Sequence, residues 1–190
     1  MRLRSITLLL FFLFLATLAS HAQAFEDGYF RYPEGRLLFK LPLGTWQVVK
    51  KMPESFDAFK MGSKPDVILA AMVRPAVILI WTERSSTDYS GRLLKAYERL
   101  EKILRKRQRA AKGSGEYQYF EYDLLGGTPA AKSAMAAQAG DLQVKGYGEA
   151  RIYSHEGSTY FHYFELLADA DVFEAVGEEF IEALQQTRGY

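Results

Sequence analysis

Four successive strand-like segments with no helical segment between them constrain the fold more than any other feature of this sequence. Residues 117–125 alternate apolar and polar side chains, and residues 130–139 are rich in small ones. Residues 144–155 and 159–167 flank a Glu-Gly-Ser turn. Parallel strands need long crossover connections, whereas antiparallel strands can be joined by tight turns. The sequence therefore predicts an antiparallel sheet that contains a hairpin over residues 144–167.

Two segments change from strand to helical spacing. Residues 88–112 follow a candidate N-cap at Thr87 or Asp88, and the final segment begins at Asp171, with Glu174 placed as in a capping box. Shorter strand-like segments precede the first helix, at residues 36–41, 45–50, 67–72 and 76–82. Each helix has an apolar stripe, formed by Tyr89, Leu93, Tyr97, Leu100 and Leu104 in the first and by Phe173, Val176, Phe180, Ile181 and Leu184 in the second.

A dense band of aromatic residues lies in the predicted strands. Its members are Tyr117, Tyr119, Phe120, Tyr122, Tyr160, Phe161, Tyr163 and Phe164. Because neighbouring strand residues point to opposite faces, aromatic side chains at both parities indicate that both faces are covered. We therefore expect a single α+β domain over residues 25–190, an antiparallel sheet covered by helices on both faces as an α/β/α sandwich.

Residues 1–24 have the composition of a secretory signal peptide. Two arginines precede an apolar stretch at residues 6–19, and Ala22 and Ala24 provide the small side chains that signal peptidase needs. The stretch is short for a bilayer span, which takes about 20 apolar residues. The sequence predicts export to the periplasm or the extracellular space. Cleavage is expected after Ala24, or after Ala22 as the second option, with no transmembrane segment in the mature chain.

The residue inventory argues against an enzyme. Cysteine is absent, which excludes disulfides, thiolate metal sites and a cysteine nucleophile, and the chain contains no G-x-S-x-G motif. Residues 126–133 nearly spell a phosphate-binding loop, but Ala131 stands where the second glycine is needed and Pro129 removes an amide donor. We therefore predict no catalytic residue and no cofactor.

The two histidines of the mature chain lie on the arms of the predicted hairpin. If residue 155 pairs with 160, then His162 faces residue 153, and the imidazoles of His155 and His162 are diagonal neighbours about 7–8 Å apart. Metal sites usually need three or four ligands, and the spacing supplies no third one. We predict no metal site.

Charge is segregated between the two predicted helices. Residues 92–112 hold nine basic and two acidic side chains, whereas residues 152–187 hold eight acidic and no basic ones. The candidate binding patch is the basic end of the first helix, formed by Arg105, Lys106, Arg107, Arg109 and Lys112. This patch would suit an anionic surface or an acidic protein. The simpler interpretation is a solvated helix end, because exposed charges are normal there.

Several segments resemble PsbP-like domains. Residues 39–48 (FKLPLGTWQV) are similar to the aromatic–Pro–x–Gly–Trp–x–Val opening of that family, with Thr45 as an extra residue before Trp46. A long helix, Leu-Gly-Gly-Thr-Pro-Ala at residues 125–130, a hairpin and a C-terminal amphipathic helix follow in the same order. The resemblance implies an α/β/α sandwich. It also implies an accessory or binding role, since the family includes an extrinsic photosystem II subunit, a Ran-binding import factor and exported bacterial proteins.

These observations favour an exported, non-catalytic accessory or binding protein of the cell envelope. In the first hypothesis, one face of the domain contacts a protein or another envelope component. The alternative is a module that binds a small molecule or lipid in an aromatic-lined cleft between sheet and helix. No nucleic-acid partner is expected.

Overall fold

The polypeptide folds into two antiparallel sheets and two α-helices in the part of the chain that a computed structural model describes, residues 25–56, 63–89, 91–111, 116–125, 128–139 and 142–190. The predicted signal peptide lies outside these residues. The strands are β1 (Phe25–Glu26), β2 (Tyr29–Tyr32), β3 (Leu37–Lys40), β4 (Trp46–Val48), β5 (Val67–Ala71), β6 (Ala76–Ser85), β7 (Glu116–Leu125), β8 (Thr128–Ala139), β9 (Leu142–His155), β10 (Ser158–Asp169) and β11 (Arg188–Gly189). The helices are α1 (Leu93–Ala111) and α2 (Ala170–Gln186), and a 3-10 turn spans Glu54–Phe56.

The larger sheet has seven strands in the order β4-β5-β6-β10-β9-β8-β7, and every pairing is antiparallel. Its centre is the predicted hairpin of β9 and β10, which is confirmed. The turn residues Glu156 and Gly157 both have positive φ, at 47° and 74°. Two such residues match the right-handed twist of the flanking strands. The turn therefore sets the register in which His155 lies opposite Ser158.

The smaller sheet, in the order β1-β2-β3-β11, packs on one face of the larger sheet together with α2. Phe39 of β3 stacks on Phe164 of β10 with ring centroids 5.6 Å apart, and it also contacts Phe180 of α2 at 6.3 Å. Only β3 of this sheet was predicted from the sequence. Strand β11 consists of two residues that pair with Leu37 and Leu38. Two residues are too few to show an alternating pattern in the sequence.

Each helix is held by its apolar stripe. Ala96, Leu100 and Leu104 of α1 are buried against Phe161 and Tyr163 of β10, on the face opposite Phe164. The buried residues of α2 include Val176, Phe180 and Leu184, as its spacing predicted. The predicted stripes were wrong at Ile181 of α2 and Leu93 of α1, which are exposed. The predicted cap at Asp171 was also wrong: Asp169, two residues earlier, is the N-cap, and its side chain accepts a hydrogen bond from the Asp171 amide at 2.9 Å.

The predicted α/β/α sandwich is wrong. The molecule is mainly antiparallel sheet, with only two α-helices among the described residues. Seven strands make a sheet about 29 Å wide, whereas one helix is about 10 Å wide, so neither face is enclosed by a helical layer. The aromatic band misled the prediction because a second sheet, not a layer of helices, covers residues such as Phe164.

Candidate functional site

A cleft of about 400 Å³ lies between the C-terminal half of α1 and the larger sheet. Strands β6 and β10 form its floor, α1 forms one wall, and the segment that precedes β5 forms the other. The lining residues are Ser63, Lys64, Asp66, Trp81, Thr82, Glu83, Ile103, Lys106, Arg107, Phe161 and Tyr163. The cleft therefore combines an aromatic floor with a charged rim.

The aromatic floor follows from strand periodicity. Phe161 and Tyr163 are two residues apart on β10, so their side chains share the face that α1 partly covers. Trp81 of β6 lies directly opposite Tyr163 in the register, and the two ring centroids are 5.4 Å apart. The indole N–H of Trp81 donates to the Ser63 carbonyl at 3.2 Å, which holds the ring in place. These rings give the cleft a rigid apolar surface.

The side chain of Arg107 extends from α1 to the sheet and forms an ion pair with Glu165 of β10. The two side chains are almost fully buried, and both Nε and Nη2 of Arg107 lie 2.7 Å from Oε2 of Glu165. The guanidinium carbon is also 5.3 Å from the ring centroid of Trp81, a cation–π distance. Arg107 thus closes the inner end of the cleft with a charge that is already compensated.

The expectation of a solvated helix end fails at Arg107. Leu100, Leu104 and Arg107 are spaced four and three residues apart, so Arg107 continues the buried stripe of α1. Glu165 gave a second signal, since it is the one charged residue within the apolar strand Thr159–Ala168. An arginine on an apolar helix stripe and an acid inside an apolar strand together indicate a buried pair.

The remaining residues of the predicted basic patch are divided between the cleft and the exposed side of α1. Lys106 is exposed at the rim of the cleft. Arg105 points to solvent and pairs with Glu101 at 2.6 Å, and the exposed Arg109 donates to the Arg105 carbonyl at 3.3 Å. Lys112 lies outside the described residues. The structure brings Lys106 and Arg107 to the cleft and leaves Arg105 and Arg109 outside it, and binding by the patch stays a prediction.

The charges at the rim are unequally compensated. Glu83 forms an ion pair with Arg99 of α1, and one carboxylate oxygen of Asp66 accepts a hydrogen bond from the Thr82 amide at 2.6 Å. Lys64 and Lys106 are exposed and make no ion pair with any other described residue. The rim therefore has two exposed ammonium groups, those of Lys64 and Lys106, and the Asp66 carboxylate, of which one oxygen is already hydrogen-bonded.

Two hydroxyl groups pack closely on Gly148 of β9, on the same face of the sheet as the cleft. A Cβ at this position would lie 2.3 Å from the Tyr163 hydroxyl and 2.8 Å from Ser133 Oγ, so glycine is needed for this close approach. The Ser133 hydroxyl is buried and has no hydrogen-bond partner among the described residues. Glu165 lies opposite Gly148 in the register. The absence of a side chain at Gly148 thus lets two hydroxyl groups pack next to the position of Glu165.

A second buried charge pair, on the opposite face, has a structural role. Arg151 of β9 pairs with Glu149 and donates to the carbonyl of Leu184 near the end of α2. The hydroxyl of Tyr147 donates to the other oxygen of Glu149 at 2.9 Å. A cation at the C-terminus of a helix complements its dipole, so this pair anchors the end of α2 to the sheet.

The two histidines lie farther apart than the sequence register suggested. His162 faces Arg151, four residues along β9 from His155, so the imidazoles are separated by about 13 Å. His162 is fully buried, and burial lowers its pKa to about 3. Among the described residues, no three His, Asp or Glu side chains are grouped as metal ligands. The described helices also include none that is long and apolar enough to cross a membrane.

Comparison with known proteins gives a similar fold and no family. No protein-family model and no curated protein matches the chain, so the PsbP-like resemblance stays a resemblance. A crystal structure from Bacteroides thetaiotaomicron matches with a TM-score of 0.50 and 10% identity, covering 87% of this chain and 49% of that one. Our chain therefore spans about half of that protein, and the likeness shows the fold alone.

Two further solved structures are more distantly similar. LpqN of Mycobacterium tuberculosis, which is involved in cell envelope biogenesis, matches with a TM-score of 0.44 and 12% identity over 77% of this chain and 84% of its own. PA94 of Pseudomonas aeruginosa, a protein of unknown function, matches with a TM-score of 0.37 and 11% identity over 83% of this chain and 92% of its own.

Proposed function

We propose that this protein is an exported, non-catalytic binding protein and that the cleft beneath α1 is its ligand site. The observation that carries the proposal is a cleft between the helix and the sheet that is lined by the half-buried Trp81 and, at its base, by the buried rings of Phe161 and Tyr163. Ligand sites are typically concave, mostly apolar and provided with a few polar groups. The cleft has each of these properties.

The size and stiffness of the cleft suit a small molecule. Binding pockets typically measure about 300–1,000 Å³, and the cleft is at the lower end of that range. Its floor belongs to the two central strands β6 and β10, which pair over ten residues. A site on paired strands is largely formed before the ligand arrives.

The non-catalytic part of the proposal is supported by how the polar groups of the cleft are engaged. Glu165 is held by Arg107, and Glu83 is held by Arg99, so neither carboxylate is positioned as a general base. The buried Ser133 hydroxyl has no hydrogen bond to a histidine, and His162 lies on the other face of the sheet. A serine nucleophile needs such a base.

The test is binding of N-phenyl-1-naphthylamine, a neutral probe whose fluorescence rises in apolar sites. We expect the mature protein to bind it and Ile103→Trp, which fills the cleft, to abolish binding. Leu94→Trp is the matched control, because Leu94 is an exposed apolar residue of the same helix outside the cleft. Absence of binding to the unmodified protein, or equal loss in both variants, would contradict the proposal.

A further inference from the structure

We infer that the cleft selects an anionic amphiphile, a molecule with one apolar chain or ring system and one carboxylate or phosphate group. The inference rests on the proposed function and adds the chemistry of the ligand. Three features of the cleft support it. They are the charge balance at the rim, the position of Lys106 relative to the aromatic floor, and the contact of the Arg107 guanidinium with the Trp81 ring.

The charge balance favours an anion. Two of the charged lining residues are neutralised within the protein, Arg107 by Glu165 and Glu83 by Arg99. Of the remaining ones, Lys64 and Lys106 are both exposed, whereas Asp66 gives one oxygen to the Thr82 amide. Two ammonium groups thus face a single carboxylate that is already partly satisfied. An anionic group placed between the lysines would make the charge of the rim neutral.

The position of Lys106 fits the two-part character of an amphiphile. Ile103 and Lys106 are three residues apart on α1 and therefore lie on neighbouring turns of one helix side. Ile103 contributes to the apolar wall above Phe161 and Tyr163, while the exposed Lys106 is at the rim. An apolar body on the aromatic floor would leave its anionic end beside Lys106.

A cationic ligand is disfavoured by Arg107. Aromatic floors can bind cations through the ring face, and the best ring for this purpose is that of tryptophan. In this cleft the guanidinium carbon of Arg107 already lies 5.3 Å from the centroid of Trp81. A ligand cation would therefore compete with this guanidinium for the tryptophan ring. The aromatic floor is thus available to apolar groups and unfavourable to ammonium groups.

The experiment is displacement of bound N-phenyl-1-naphthylamine from the mature protein by three amphiphiles of equal chain length, each below its micelle concentration. Dodecanoate is the anionic probe, dodecanol the neutral one and dodecyltrimethylammonium the cationic one. We expect dodecanoate to bind about two- to fivefold more tightly than dodecanol, the range given by one exposed charge interaction. The cationic probe should bind most weakly. Dodecyl phosphate in place of dodecanoate then distinguishes a phosphate from a carboxylate ligand.

The contribution of the rim is measured with Lys106→Gln, which should lower dodecanoate affinity about two- to fivefold and leave dodecanol affinity unchanged. Lys102→Gln is the matched control, because Lys102 is exposed on the same helix and does not line the cleft. Equal affinities for the three probes, or equal effects of the two substitutions, would overturn the inference and leave the proposed function intact. Failure of the naphthylamine itself to bind would instead remove the proposed function.

Discussion

Arg107 and Glu165 form a buried ion pair that joins α1 to β10 across 58 residues of sequence. The side chains are 4% and 1% exposed, and two guanidinium nitrogens lie 2.7 Å from one carboxylate oxygen. Taking both charges out of water costs several kcal/mol each, and their attraction offsets that cost only while both are present. The pair therefore makes the attachment of α1 dependent on both residues.

The first prediction follows from that dependence. Arg107→Met leaves the buried Glu165 carboxylate without its guanidinium, and should lower the free energy of unfolding by about 3–5 kcal/mol. Urea unfolding followed by circular dichroism measures it. Arg105→Gln is the control, since its exposed pair with Glu101 should contribute about 1 kcal/mol or less. Adding Glu165→Met to the first variant should restore much of the stability. Equal, small effects at both arginines would mean that the pair is solvated.

A second prediction tests the docking of α2. Phe180→Ala should cost about 3–5 kcal/mol, because the fully buried ring contacts Phe39 at 6.3 Å and Tyr147 at 6.1 Å between ring centroids. Glu178→Ala, at an exposed position of the same helix, should change stability by less than about 0.5 kcal/mol. Thermal and urea denaturation of both variants measure this difference. A detached helix would give two equally small effects.

The third prediction concerns the pH dependence of stability. Burial lowers the pKa of His162 from 6.5 to about 3, so the imidazole of the folded protein stays neutral above that pH. Nδ1 lies 3.1 Å from the Thr82 hydroxyl, and Nε2 has no hydrogen-bond partner among the described residues. Below pH 6.5 the unfolded chain takes up a proton that the folded chain excludes. The stability that His162 contributes is therefore complete above pH 6.5 and falls by about 1.4 kcal/mol per pH unit between 6.5 and 3.

Comparison of two glutamine variants isolates this effect from the carboxylates that titrate in the same range. His162→Gln should flatten the pH dependence of the unfolding free energy between pH 6.5 and 3. His155→Gln, at a half-buried position next to the turn, should show the same slope of unfolding free energy against pH as the unmodified protein. Identical slopes in the unmodified protein and His162→Gln would show that His162 is accessible to protons in the folded state.

A fourth prediction concerns export. Expression of the full chain in a bacterial host should yield a mature species that begins at Phe25, or at Gln23 if the second cleavage option applies. Intact-mass measurement of the secreted or periplasmic fraction identifies the terminus. Ala24→Arg places a large charged residue at the −1 position of the first option and should shift or block its cleavage. A membrane-bound species that keeps residues 1–19 would contradict the prediction.

Local patterns in the sequence predicted the elements with long, regular periodicity. The apolar stripe of α2 and the hairpin of β9 and β10 were identified because each depends on neighbouring residues and a tight turn. The start of α1 was placed too early, since Leu93 follows Gly91 with φ of 70°, which favours a turn. Strands β1, β2 and β11, which are two to four residues long, were not predicted.

The cleft was predicted only as an alternative, and its residues were not identified. Trp81, Ile103 and Tyr163 come from three separate elements, and no spacing in the sequence relates them. Arg107 was assigned to an exposed patch because its basic neighbours dominate the local composition. The position of Arg107 on the same stripe as Leu100 and Leu104 indicates instead that it is buried. That indication is sufficient only once Glu165 is known to be its partner.

The sequence by itself determined which residues alternate, which ones form helical stripes and where the central hairpin turns, because these properties depend on backbone geometry over a few neighbouring residues. Tertiary structure alone decided what covers each face. Periodicity shows that Phe164 points inward, but not that Phe39 of a second sheet will stack on it. The same limit applies to Arg107 and Glu165, because the partner of a buried charge is set by long-range packing, which lies beyond the reach of local pattern.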